Sequence, residues 1–330
     1  MSSDSPWTPL HARVHQTLRQ RHLLPRGDRL LVAVSGGQDS LCLAQLLLDL
    51  QPKWEWTLAI AHCDHRWRND SSANAAHVER LARGWNLPFY LETAIQIPQS
   101  EADARQWRYR VLTDLARDRH YGILVTGHTQ TDLAETLLYN LTRGSGTDGL
   151  QALNWRRSLA ESSLQLVRPL LDVSRATTGQ FCRDRNLPIW EDDTNQDVAY
   201  RRNRIRWELI PYLKQHFNPN IDRAIAHTAE LLRADVECLE RSAAEVRQRA
   251  TRDDPHRLDR RCLQQVPLAL QRRALRQFLS LHLPQAPQFE HIEKFVRLVG
   301  APNRSRTDPF PGGAIAEVSG DWILWHAKSD

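Results

Sequence analysis

The run Ser35-Gly36-Gly37-Gln38-Asp39-Ser40 sits between two segments that leave the chain little choice of fold. Before it comes Leu30-Leu31-Val32-Ala33-Val34, a short apolar run that reads as a strand buried on both faces. After it Leu41, Leu43, Leu46, Leu47 and Leu50 recur at helical spacing over residues 39–50. A buried strand that passes at once into a helix is the first half of a βαβ unit. Two glycines at the junction let the backbone turn tightly and aim successive N–H groups at one point. The hydroxyls of Ser35 and Ser40 and the positive end of the following helix converge there too, which is a physical recipe for holding a pyrophosphate. No lysine follows Gly37, so the Walker pattern is absent, and so is the G-x-G-x-x-G pattern of dinucleotide sites. A lone Ser-Gly-Gly is often only a turn; its flanks give this one its specificity.

The alternation continues. Residues 57–61 read as a strand, 71–86 as a helix, 87–91 as a strand, 101–121 as a helix, 122–127 as a strand and 129–142 as a helix. Residues 164–171 and 174–186 add one more strand–helix pair. The expected fold class is therefore α/β: a doubly wound, mostly parallel sheet with helices on both faces, followed by a smaller, mainly α-helical domain. Ligands of such sheets sit outside the carboxyl ends of the strands, so Ser35, His62 and His128 should lie near one another. From residue 200 to 300 the pattern is helical and rich in arginine. Residues 301–313 carry three prolines and two glycines and read as a turn region, and residues 314–327 as a hairpin about Ser319-Gly320-Asp321. The expected boundaries are 1–215 for the nucleotide domain and 216–330 for the helical, basic one.

Composition removes some classes of function. Lys and Arg number 44 against 39 Asp and Glu, a net charge of +5 that says little unless the arginines cluster, which they do in the second half. The five cysteines, Cys42, Cys63, Cys182, Cys238 and Cys262, contain no C-x-x-C pair. That argues against a disulfide scaffold and against a zinc or iron–sulfur site. The N-terminal residues lack a signal-peptide core, and no apolar stretch is long enough to span a bilayer. The expectation is a cytoplasmic protein with reduced thiols and no membrane partner.

A strand, Ser-Gly-Gly-x-Asp-Ser and a helix together resemble the PP-loop ATP pyrophosphatase superfamily, whose members use ATP to adenylate a carbonyl oxygen and release pyrophosphate. Further segments are similar to the tRNA(Ile)-lysidine synthase family. They are His62-Cys63-Asp64-His65 with Arg68, and Glu101-Ala102-Asp103-Ala104-Arg105 with Arg108-Tyr109. Thr126-Gly127-His128 with Asp132, Glu135 and Thr136, then Arg143-Gly144-Ser145-Gly146, form the longest. Arg168-Pro169-Leu170-Leu171 and the run from Glu191 to Asn195 through Arg202-Asn203 and Arg206 complete the set. The resemblance covers about residues 28–207. It departs from the family pattern at Thr131 and Leu133, where an aspartate and a glutamine are usual, and at Thr194, where serine is usual.

That resemblance implies ATP as substrate with Mg²⁺, free L-lysine as second substrate, and isoleucine tRNA with a CAU anticodon as partner. Ser35, Gly36, Gly37, Gln38, Asp39 and Ser40 would cradle the phosphates, with Asp39 also the metal carboxylate. Asp39 has a bland alternative as a helix N-terminal acid that complements the dipole. Asp132 and Glu135 stand i and i+3 on one helix face and would hold the lysine, one of them helping to deprotonate its amine. With Asp39 they are the expected catalytic residues; an isolated D-x-x-E is otherwise a solvated acidic face. Arg108 and Arg202 would bind the lysine carboxylate, phosphates or RNA. Tyr200-Arg201-Arg202-Asn203-Arg204-Ile205-Arg206 reads as an RNA contact strip, which Arg247 to Arg276 would extend unless they form an ordinary solvated helix surface. The sequence leaves a homodimer open. Rival readings are another PP-loop tRNA-modifying enzyme such as a thiolase, for which the cysteine spacing is missing, and a non-catalytic nucleotide-binding protein, which leaves Asp132 and Glu135 unexplained.

Overall fold

A computed structural model of the chain describes residues 7–159, 164–191 and 201–327. They gather into two compact units, Met1–Glu230 and Leu231–Asp330. The first unit opens with α1 (Pro9–Gln20), started by a reciprocal cap in which the Thr8 hydroxyl accepts from the His11 N–H and the His11 ring accepts from the Thr8 N–H. The alternating elements follow: β1 (Arg29–Ala33), α2 (Gln38–Trp54), β2 (Thr57–Asp64), α3 (Ser71–Gly84), β3 (Phe89–Thr93), α4 (Glu101–Asp118), β4 (Ile123–Thr126) and α5 (Gln130–Thr142). After α6 (Thr147–Leu150) come β5 (Arg156–Ser158), β6 (Gln165–Val167) and α7 (Arg175–Asp184). The short α8 (Arg201–Arg204), a π-helical turn Ile205–Leu209 and α9 (Ile210–His216) succeed one another directly, and α10 (Ile221–Thr251) runs across the boundary between the units.

The sheet order is β3-β2-β1-β4-β6-β5, parallel throughout except that β5 pairs antiparallel with β6. As expected, it is a doubly wound α/β sheet. Leu30 and Val32 enter one apolar core and Leu31, between them, enters the other, which is why β1 reads as an unbroken apolar run. The connections through α2 and α3 carry the chain to one side of β1, and β4 then joins on the other side. The crevice between the carboxyl ends of β1 and β4 is the topological switch point.

Two glycines make that crevice tight. Gly36 has φ +89°, and a Cβ there would lie 2.5 Å from Asn74 Oδ1. A Cβ on Gly127, at the end of β4, would lie 2.8 Å from the Asp39 carbonyl oxygen and 3.0 Å from the Ser40 nitrogen. These are backbone atoms of the first turn of α2 and cannot swing aside.

The second unit contains β7 (Arg257–Asp259), α11 (Arg260–Gln264), α12 (Leu268–His282), α13 (Phe289–Gly300), β8 (Ile315–Ser319) and β9 (Trp322–His326). The expected hairpin is β8–β9, turning at Gly320 with φ +59°. It is one part of a three-stranded antiparallel sheet, β7-β9-β8, packed with α12 and α13 around Phe278, Phe295, Phe310 and Trp325. The β7 strand escapes sequence reading because it offers one apolar residue, Leu258, between two charged ones.

The Gly127 contact gives a direct test. Gly127→Ala should cost about 1–3 kcal/mol through overpacking at the switch point. Urea unfolding should register it as a lower midpoint at an unchanged slope.

Candidate active site

The phosphate loop is held from behind before any ligand enters. The Asn74 side-chain amide donates to Ser35 O at 3.0 Å, and the Trp190 N–H donates to Gly36 O at 2.9 Å. Within the loop the Ser40 hydroxyl accepts from the Ser35 N–H at 3.2 Å and donates to Gly37 O at 2.9 Å, and the Ser35 hydroxyl accepts from the Gly37 N–H at 3.4 Å. Gln38 turns away from the phosphate position: its amide donates to Arg175 O at 2.8 Å and to the Thr178 hydroxyl at 3.1 Å. It therefore braces α2 against α7.

Asp39 lies in the same seam. Its Oδ1 accepts a short hydrogen bond from the Thr178 hydroxyl, and its Oδ2 lies 3.5 Å from Arg175 Nη1. Burial raises the Asp39 pKa, and Arg175 and Thr178 only partly offset it. Burial thus disfavours the charged form of this carboxylate.

In front of the loop lies a cleft of about 440 Å³. Its walls come from the ends of β1, β2 and β4, from α4 and from the helical segment that begins at Arg201. Seven arginines line it, Arg66, Arg68, Arg105, Arg108, Arg175, Arg202 and Arg206, against four acids, Asp39, Asp64, Glu101 and Asp132. An excess of guanidinium around a glycine loop suits a polyphosphate.

The structure places Ser35, Gly37, Gln38, Asp39, Ser40, Arg108, Asp132 and Arg202 in one cleft wall. Asp132 is fixed by the fold of α5: its Oδ2 accepts from the Thr129 N–H and hydroxyl, both at 2.8 Å, as the N3 acid of a capping box. Its Oδ1 accepts from Arg206 Nη2 at 3.3 Å. Burial works against its charge, but His128, the Thr129 donors and Arg206 outweigh it and hold the carboxyl below its ordinary range. Glu135 departs from the expected arrangement. Its side chain is 1% exposed, it is not part of the cleft wall, and it takes Arg206 in a two-pronged pair, Nε to Oε1 at 2.6 Å and Nη2 to Oε2 at 2.9 Å. Arg206 thus bridges the two acids that share the α5 face. Sequence reading counts Arg206 among RNA contacts; its place four residues after Arg202 on a helix is the signal that both turn toward α5. Arg202 donates to the Thr136 hydroxyl at 2.8 Å and lies 3.6 Å from Glu101 Oε1, and Arg108 donates to His65 Nε2 at 2.8 Å.

Burial lowers the pKa of each of the three histidines. His62 donates from Nδ1 to Val34 O at 2.8 Å, and burial lowers its pKa. Burial and the adjacent Arg108 hold His65 at about 4, and burial lowers His128, which the neighbouring Asp132 partly offsets. Tyr200 and most of the Glu191–Asn195 run, from Asp192 onward, lie outside the described residues.

The arginines of the second unit are mostly engaged internally. Arg272 pairs with Glu293, Arg273 and Arg276 with Glu240, Arg252 with Asp259, Arg257 with Asp254 and Arg261 with Asp321. Arg260 caps the carbonyls of Val299, Ala301 and Gly320. Six of the nine arginines expected as an extended strip over 247–276 thus also form ion pairs within the unit.

A parallel sheet opened at its switch point over a Ser-Gly-Gly loop and an arginine-lined cleft defines an ATP-using PP-loop enzyme. The PP-loop domain family matches residues 8–213, and the TilS substrate binding domain family matches residues 258–319. A tRNA(Ile)-lysidine synthase of a Nostoc species is 60% identical, covering 96% of this chain and 97% of that protein. Another, from a Synechocystis species, is 52% identical, covering 97% and 98%. The chain belongs to the tRNA(Ile)-lysidine synthase family, and so to the ATP-dependent ligases. A U34-tRNA thiolase from Methanococcus maripaludis, solved with its iron–sulfur cluster, superposes with a TM-score of 0.57 over 68% of this chain and 77% of that one. At 15% identity that likeness concerns the fold alone. Among the described residues no helix is long and apolar enough to cross a membrane.

Glu135→Gln would leave the Arg206 guanidinium half-neutralised in a buried seam. A loss of about 3–5 kcal/mol is expected, as for any buried pair stripped of one partner. Chemical denaturation of the variant checks it.

Proposed function

We propose that the chain joins free L-lysine to C2 of the wobble cytidine, position 34, in the CAU anticodon of isoleucine tRNA, consuming ATP and releasing AMP and pyrophosphate. The observation that carries this reading is the single cleft that runs from the Ser35–Ser40 loop to the ionised Asp132. Phosphate chemistry and a seat for a cationic amine stand at its two ends.

The C2 oxygen of cytidine is a poor leaving group. Its attack on the α-phosphorus of ATP converts it to an adenylate and expels pyrophosphate. The N–H groups of the loop and the start of α2 face the departing charge, and the arginines of the cleft neutralise it without having to reorganise. The lysine ε-amine then attacks C2, the C2–O bond breaks, and AMP leaves with the oxygen. The amine arrives as an ammonium with a pKa of about 10.4 and must lose a proton to react. Asp132, held ionised, suits the task of orienting that ammonium. Glu135, with both oxygens on Arg206, suits positioning Arg206 rather than meeting the lysine. Arg108 and Arg202 offer planar forks for the lysine carboxylate or a phosphate. The reaction belongs in the cytoplasm, where ATP, lysine and tRNA meet.

Mg²⁺ fits the same cleft. Burial disfavours charge on Asp39, a bound cation would favour it, and magnesium accepts one carboxylate completed by phosphate oxygens. Asp39 would hold the ion, which when bound neutralises charge on the polyphosphate.

Labelled lysine supplied with ATP, Mg²⁺ and CAU-anticodon isoleucine tRNA should enter the RNA, and should not enter methionine tRNA. Label that stays out of the RNA while control enzymes work would sink the assignment. Asp132→Ala should cut incorporation by about a hundredfold or more with the KM for ATP changed less than about twofold. Normal incorporation by that variant would move the lysine seat elsewhere in the cleft.

A further inference from the structure

One group of charges extends from the cleft wall to residues that have no role in the chemistry above. Tyr109, on α4, carries guanidinium groups around its ring: Arg105, one helical turn earlier, lies 5.2 Å from the ring centre, and Arg157, on β5, lies 5.6 Å from it. Arg168, just past β6, reaches the phenol hydroxyl and is itself 2% exposed. Its Nη1 donates to Asn154 O at 2.6 Å, while its Nε is buried with no hydrogen-bond acceptor. Among the described residues no carboxylate pairs with Arg105, Arg157 or Arg168. The charges that act on Arg105 are the Tyr109 phenol and three further arginines, Arg202, Arg108 and Arg157.

Arginines gathered this way repel one another, and a buried guanidinium without a counter-ion is costly. The second unit pairs seven of its arginines with carboxylates; this cluster pairs none, among the described residues. An arriving anion would relieve the repulsion. Planar forks with free N–H groups match a phosphate in particular. Arg105 and Tyr109 belong to the cleft wall, whereas Arg157 and Arg168 lie outside it, so the anion would sit beside the nucleotide site and not within the Ser35–Ser40 loop.

We propose that Arg105 and Arg157, assembled on Tyr109 with Arg168 buried behind it, form a phosphate-binding nest that takes a backbone phosphate of the RNA whose base enters the cleft. The inference rests on reading the cleft as the site of base activation. A base splayed out of a loop carries its flanking phosphates to the rim of the pocket that receives it, and the triphosphate already has its own cradle.

Arg157→Gln tests this with least risk to the fold, since Arg157 is exposed on a short edge strand. Arg157→Glu is the second variant. Each should raise the tRNA Kd about fivefold to tenfold and make the slope of log K against log salt shallower by about one. The KM for ATP should stay within about twofold. Without RNA, the melting temperature of Arg157→Gln should hold or rise by about 1–3 °C as repulsion is relieved. Unchanged tRNA affinity and salt slope in both variants would overturn the nest. A raised KM for ATP with unchanged tRNA binding would assign the phosphate to the nucleotide and overturn the RNA reading. Failure of the wild-type chain to incorporate lysine would instead sink the reading of the cleft, and the binding data on the nest would still stand.

Discussion

The seating of the end of β4 against the first turn of α2 governs the rest of the site. It is possible only because residue 127 has no side chain. Through that contact the phosphate loop and the start of α5 come from opposite sides of the switch point into one crevice. His128 and Asp132 then follow from the local course of the chain: the capping box that starts α5 points one oxygen of Asp132 back at Thr129 and leaves the other for Arg206. Asn74 and Trp190 brace the loop from α3 and from the segment after α7, so its N–H groups are arranged before a phosphate arrives.

Charge is distributed by the same logic. The cleft keeps more arginine than acid, and burial works against charge on its histidines. Its positive potential is therefore carried by guanidinium groups that cannot titrate. One of them, Arg206, is held in place by a carboxylate that itself never faces the cleft. In the second unit arginine serves a different end, tying α10 to α12 and α12 to α13 through Glu240 and Glu293.

The sequence made the central sheet legible because each parallel strand is a continuous apolar run and each helix shows one apolar face. It made the phosphate loop legible because glycines and hydroxyls at a strand–helix junction have few other uses. Helix α1 was missed because its inward face includes the polar residues His11 and Thr17, which break the apolar pattern. The β5 strand was missed because Arg156, Arg157 and Ser158 are all exposed, so no alternation marks it. In the site, the shared face of Asp132 and Glu135 followed from helical spacing, but spacing alone does not say which acid faces solvent and which is sealed. That is decided by Arg206, arriving from 71 residues away. Spacing likewise does not show which arginines of residues 247–276 pair within the unit.

The central claim is that ATP activates the RNA base and that lysine enters second. ATP labelled at the α-phosphate, incubated with the enzyme and CAU-anticodon isoleucine tRNA without lysine, tests it directly. The account predicts that label becomes attached to the RNA and is released as AMP when lysine is added. Label that instead joins lysine in the absence of RNA would mean that the amino acid is the activated partner, and would contradict the account.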